Sequence, residues 1–413
     1  MIRISKIFNK NLLFIFLITI LIFGKFSYFL FYSEVIFSSK PLILTLLLKD
    51  LFVLIFFFIS LKYCNKEDLK LFHILIYLLL IFIFKSLIYD GNTEYSFKIL
   101  RNYILPCFSI YFFYKFRQKA NMNYFIFLII LTIPFALAQL VYINYEIIYP
   151  IITQTEYRVN AIFDNPVLYS AILFLGVIHL SKSFFIDNSF FERVFFSIFV
   201  FLIITTLSLS IIILLSLYIG SILIYLIINN EYKNFILLIF YTVIGYLIIF
   251  YFPISYEYFN LKLSNLLKYF SIISTSEIPI SSTLNSLNII QEGQFHTFRD
   301  KNTQVYEYLS FSCGSELINS FSILNNFLLG CSISGFYESE VSLINFLSFF
   351  GAVGLLSLYL LYSHLDVPFQ NSFNRIRIVF ILSLIITSVF FSFPLNYLII
   401  FFLINFKKYK FNV

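Results

Sequence analysis

Five charged side chains, in a chain of which only 12% is charged, have types and settings that could do chemistry: Arg101, Arg158, Arg299, Glu338 and Glu340. A guanidinium stays charged at physiological pH, and its planar fork of donors matches two phosphate oxygens. A carboxylate can take the proton of a reacting hydroxyl. Arg101 lies about one turn inside an apolar run, in Phe97-Lys98-Ile99-Leu100-Arg101-Asn102-Tyr103-Ile104-Leu105-Pro106. It either extends to the lipid headgroups or binds a lipid phosphate or pyrophosphate. Arg158 stands shortly before Asn165-Pro166, which marks a turn and a helix start. A helix N-terminus beside an arginine is a natural anion site. Arg299 belongs to Arg299-Asp300-Lys301, a solvated turn or a substrate contact. Glu338 and Glu340 follow Gly330-Cys331-Ser332-Ile333-Ser334-Gly335 and open a helical run. Acids are favoured there by the helix dipole, and that field weakens them as bases unless they are partly desolvated.

Other polar positions are weaker signals. Lys49 and Asp50 interrupt the second apolar run, where an ionisable group costs about 2.5–3.5 kcal/mol. They read as an interhelical ion pair or as residues of a substrate path. Thr205-Thr206-Leu207-Ser208-Leu209-Ser210 is a polar break that reads as the apex between two helices. Cys313 and Cys331 share the long polar segment, where an oxidising compartment would allow a disulfide. Cys64 and Cys107 are not expected partners for them. No phosphate-binding glycine loop, metal-protease motif or metal-type cysteine spacing is present, and the four histidines are scattered.

The elements that must position these groups are membrane helices. The 413 residues are 60% hydrophobic, with mean hydropathy +0.91, which excludes an ordinary soluble domain. Windows of roughly 20 apolar residues predict twelve helices: 11–32, 42–61, 71–88, 98–116, 123–145, 166–181, 194–208, 210–228, 235–253, 338–362, 377–391 and 396–407. The runs do not alternate as barrel strands would, so the expected fold is an all-α polytopic membrane protein. Residues 1–254 form nine helices, 255–337 one large external loop, and 338–413 the last three helices. Most of the 28 basic residues fall in loops on one side, among them Arg3, Lys6, Lys66, Lys119, Lys182, Arg193, Arg375, Arg377 and Lys408. The positive-inside rule then places both termini in the cytoplasm and the long loop outside. The basic start and apolar run of residues 1–23 lack a small-residue cleavage site and read as a retained first helix. The formal charge of +7 follows from this topology and is no nucleic-acid patch.

In order and topology these features resemble the O-antigen polymerase and ligase superfamily of polytopic glycosyltransferases. The family pattern has an external arginine before a glycine, a phenylalanine and an Asn-Pro helix start; Arg158, Phe163 and Asn165-Pro166 match, with Ala161 near the expected glycine. Thr206-Leu207-Ser208 fits the Thr-x-Ser break between middle helices, although the arginine that usually follows is missing. Arg299, Gly330, Gly335, Glu338 and Gly351-Ala352-Val353-Gly354-Leu355-Leu356 correspond to the late loop and the helix after it. The match spans roughly 97–360, and each motif is degenerate. Ligases usually carry a histidine just before that last helix. Here no histidine lies between His296 and His364, which favours a polymerase.

The resemblance implies a glycan donor on undecaprenyl pyrophosphate at the outer face of the bacterial inner membrane. Arg101, Arg158 and Arg299 would hold its pyrophosphate, and Glu338 or Glu340 would be the base. No cofactor or metal is required, since arginine can replace the cation. The partners implied are the lipid-linked glycan, membrane lipid and a chain-length regulator protein. The alternatives are a ligase, and a flippase or transporter of lipid-linked oligosaccharide, for which Lys49-Asp50 is the supporting feature. No clear two-fold internal repeat supports the transporter.

Overall fold

Every apolar run among the described residues folds as helix, and none of these residues forms a strand. The structure is a computed structural model; it describes residues 50–55, 57, 58, 76, 79, 80, 83, 100, 104–106, 122–145, 158–163, 165–185, 189–274, 320–330, 342–363, 372–387 and 395–405. The helices are α1 (Met122–Ile130), α2 (Ile133–Tyr145), α3 (Pro166–Leu180), α4 (Phe190–Thr205), α5 (Leu209–Ile228) and α6 (Tyr232–Leu247). They continue with α7 (Pro253–Ser274), α8 (Ser320–Leu329), α9 (Ser342–Ser363), α10 (Ser372–Ser383) and α11 (Leu395–Asn405). Four segments are long and apolar enough to cross a membrane: Phe125–Tyr145, Pro166–Phe184, Leu209–Ile228 and Tyr232–Tyr251. They fall within the expected helices 123–145, 166–181, 210–228 and 235–253, give or take a few residues. The elements among the described residues are therefore all helical, and their apolar spans make this a membrane-embedded protein.

Helix ends follow the local chemistry of the sequence. Asn165 caps α3 by accepting from the Val167 N–H at 2.8 Å, and Pro166 occupies the first helical position, where a missing donor costs nothing. Ser189 caps α4. Between α1 and α2 the backbone turns at Leu131–Thr132, and Thr132 Oγ1 donates to the Ile129 carbonyl.

Burial separates the centre from the lipid face. The Pro166–Phe184 segment is 94% buried and the Tyr232–Tyr251 segment 17%. Helix α3 is thus the hub, in contact with α1, α4, α5 and α11, while α6 packs mainly through α4. Tight approach comes from glycines, as expected where lipid leaves little hydrophobic drive between helices. A Cβ on Gly176 of α3 would meet the Phe199 ring at 2.6 Å, and one on Gly245 of α6 would meet the Ser197 carbonyl at 2.6 Å. Ser197 Oγ also donates across that contact to the Tyr241 carbonyl at 2.7 Å. In α9 Gly351 has φ +63° and breaks the helical path, and α8 packs so closely that a Cβ would strike the Leu328 carbonyl. The Gly351–Gly354 stretch therefore contains a kink.

One end of the bundle is basic and buried. Arg377 Nε donates to the Ile178 carbonyl at 3.1 Å, Arg193 donates through two nitrogens to the Ser183 carbonyl, and Lys182 pairs with Glu192 at 3.6 Å. These side chains read in the sequence as loop residues. The structure instead sets Arg377 within α10, 1% exposed and over the Phe373 ring. The Ile178 carbonyl lies in the last turn of α3, at the negative end of its dipole, where the Arg377 guanidinium is favoured. Helix α10 starts at Ser372, before the expected 377. The segment 255–337, expected as a loop, begins with most of α7 and contains α8. Its remainder lies outside the described residues, as do the helix expected at 11–32 and most of those at 42–61, 71–88 and 98–116.

Candidate functional site

At the opposite end of α3 two short non-helical segments meet. The first is Arg158–Phe163, which leads towards α3. The second is Thr206–Ser208, which joins α4 to α5 where the polar break predicts an apex. Val159 N donates to the Thr205 carbonyl at 3.3 Å and brings the two side by side. Each contains a residue held in the left-handed region, Ala161 at φ +50° and Leu207 at φ +53°. That region disfavours side chains, so surrounding contacts must hold it.

For Ala161 the holding group is Gln139 of α2. Its Oε1 accepts from Asn160 N at 3.1 Å and Ala161 N at 2.8 Å, and its Nε2 donates to Asn160 Oδ1 and the Ala161 carbonyl, both at 2.9 Å. One buried amide thus satisfies four groups of the loop. A polar side chain inside a span must find such partners, because lipid offers none. One turn further along α2, Asn144 does the same for α7, accepting from Ser255 N at 3.1 Å and donating to Ser255 Oγ at 3.0 Å. Phe163 stacks on Tyr169, with ring centroids 5.6 Å apart, and fixes the loop's exit into α3.

Two cations converge on the α4–α5 turn. Arg158 Nε donates to the Thr206 carbonyl at 2.9 Å and Nη2 to Ser208 Oγ at 3.2 Å. Lys262, from α7, donates through Nζ to the Leu207 carbonyl at 3.2 Å. Successive residues of one turn are therefore engaged by two positive side chains. Burial lowers the pKa of Arg158 below its ordinary value. Burial first, and then the neighbouring Arg158 charge, bring the Lys262 ammonium down to about 8. Thr205 Oγ1 and Thr206 Oγ1 donate to carbonyls one turn back, so their hydroxyls are committed to the helix end. Ser208 makes no side-chain capping bond to the first turn of α5, which starts at the same place.

Of the residues predicted from sequence, Arg158, Phe163, Asn165-Pro166 and Thr206-Leu207-Ser208 come together here. Arg101, Arg299, Glu338, Glu340, Lys49, Cys313 and Cys331 lie outside the described residues. Asp50 is half-buried in a helical stretch. Lys262 and Gln139 were not anticipated. Lys262 is one of several lysines in the long polar segment, with no spacing that marks it. Gln139 did carry a signal, as one of two amides, with Asn144, in the apolar run Ile133 to Tyr145. Among the described residues no group of three or more histidine, cysteine, aspartate or glutamate side chains is placed to hold a metal.

Fold and site together define a membrane protein whose elements, among the described residues, are helical, with a basic, partly buried turn at one end of the helices. No family model, curated protein or solved structure matches the chain.

Proposed function

We propose that the protein is a polysaccharide polymerase of the O-antigen type. It has twelve spans, both termini in the cytoplasm and the 255–337 segment on the outer face of the bacterial inner membrane. There it joins oligosaccharide repeat units carried on undecaprenyl pyrophosphate. The acceptor sugar's hydroxyl oxygen attacks the donor's anomeric carbon. The bond from that carbon to the pyrophosphate oxygen breaks, and undecaprenyl pyrophosphate leaves with the electron pair. Glu338 or Glu340 takes the hydroxyl proton. Arg158, with Arg101 and Arg299, stabilises the charge that develops on the leaving pyrophosphate, an interaction that can be the largest catalytic contribution.

The observation that carries this reading is the seating of Arg158 on the Thr206–Ser208 turn, which joins two motifs far apart in sequence at one end of the bundle. The basic cluster of Lys182, Arg193 and Arg377 at the other end supports the orientation, with Arg158 outside. Ala161, near the position where the family pattern has glycine, sits at a φ that glycine adopts without cost.

The test is complementation of a strain lacking the gene, read as the surface-polysaccharide ladder. Arg158→Lys should lose most polymer, because a point charge cannot fork. Full-length polymer with Arg158→Ala would remove Arg158 from the site. Glu338→Gln and Glu340→Gln are compared separately, and an unchanged ladder in both would exclude them as the base.

A further inference from the structure

Resting on the reading of Arg158 above, we propose that Lys262 is a second cation of the same anion site, which therefore takes a diphosphate across two positive side chains. The geometry is specific. Lys262 comes from α7, the helix that follows Tyr232–Tyr251, and reaches the α4–α5 turn from there. Its Nζ engages Leu207 while Arg158 engages Thr206 and Ser208, so the two cations bracket one turn. Neither is stranded on an open surface; both are half-buried. The charged group that acts on Lys262 among the described residues is Arg158, which lies close enough to repel it. The turn itself has no titratable side chain. The first amides of α5, a 20-residue helix, open at the same turn, with Ser210 exposed there. Two cations and the positive end of a helix gathered at one point are stabilised by an anion of more than one charge. A diphosphate supplies one phosphate group for the guanidinium fork and a second for the ammonium.

Lys262 also ties the site to the external segment. Helix α7 is its first element, so an anion held by both cations fixes the start of that segment against the α4–α5 turn.

The experiment uses the full chain, purified in neutral detergent, with inorganic pyrophosphate and inorganic phosphate as calorimetric probes. Variants are accepted for titration when monodisperse on size exclusion. The wild type should bind pyrophosphate more tightly than phosphate. Lys262→Gln should weaken pyrophosphate about tenfold, the order of one charge-assisted contact, and leave phosphate nearly unchanged, and Lys262→Arg should restore it. Pyrophosphate affinity unchanged in Lys262→Gln but lost in Arg158→Gln would overturn the second cation and leave the Arg158 reading standing. Unchanged affinity in both variants would overturn both. The same phosphate chemistry could come from a lipid headgroup. If phosphatidylglycerol nanodiscs, and not pyrophosphate, distinguish wild type from Lys262→Gln, the diphosphate inference falls.

Discussion

Gln139 shows how much of the site depends on a residue that touches no substrate. Gln139→Leu would leave the buried Asn160 and Ala161 N–H groups without their acceptor. Each orphaned donor costs roughly 1–3 kcal/mol, so the variant should melt at lower temperature and lose polymer. Gln139→Glu keeps the acceptor but sets an oxygen against Asn160 Oδ1 and the Ala161 carbonyl, so it too should melt at lower temperature, which differential scanning of the purified variants would show. Ala161 makes the converse case: Ala161→Gly relieves a left-handed φ and should keep full activity, whereas Ala161→Val should destabilise by about 1–2 kcal/mol. Lys262 carries the pH dependence. Burial and the Arg158 charge bring its pKa to about 8, and a bound anion would raise it. Anion affinity is then complete below pH 8 and declines as pH rises above it, and Lys262→Arg should abolish the decline between pH 7 and 9.5. Arg158 was legible in the sequence because it stands against the charge trend beside a helix start. Lys262 was not, because its partner turn lies in another part of the chain, where only folding brings them together.

At the scale of elements, helices were largely legible from hydropathy and their junctions less so. The apex at Thr206–Ser208 and the start of α3 were readable, since hydroxyl clusters and Asn-Pro have defined roles at helix ends. Arg377 looks like a loop residue from sequence because basic residues usually mark loops. Burial against the carbonyls at the C-terminal end of α3 overrides that rule, and no local pattern reports it. Glycine contacts give the sharpest test of packing. Gly245→Val has no room against the Ser197 carbonyl and should separate α6 from α4, lowering the detergent-extracted yield of monodisperse protein. Gly220 of α5 has open space around it, so Gly220→Ala should leave that yield unchanged.

For the whole molecule, the two ends of the α3–α4 hairpin carry different kinds of positive charge. At one end Lys182, Arg193 and Arg377 are absorbed into helix-end carbonyls and an ion pair. At the other, Arg158 and Lys262 gather on a single turn. The first arrangement anchors the bundle and the second is suited to an anion, as the proposed polymerase requires. The most direct measurement is the surface-polysaccharide ladder of a strain lacking this gene. The account predicts lipid core capped by a single repeat unit, because ligation continues while polymerisation stops. Core with no repeat unit at all would contradict it and place the chain at ligation or at transport of the lipid-linked donor.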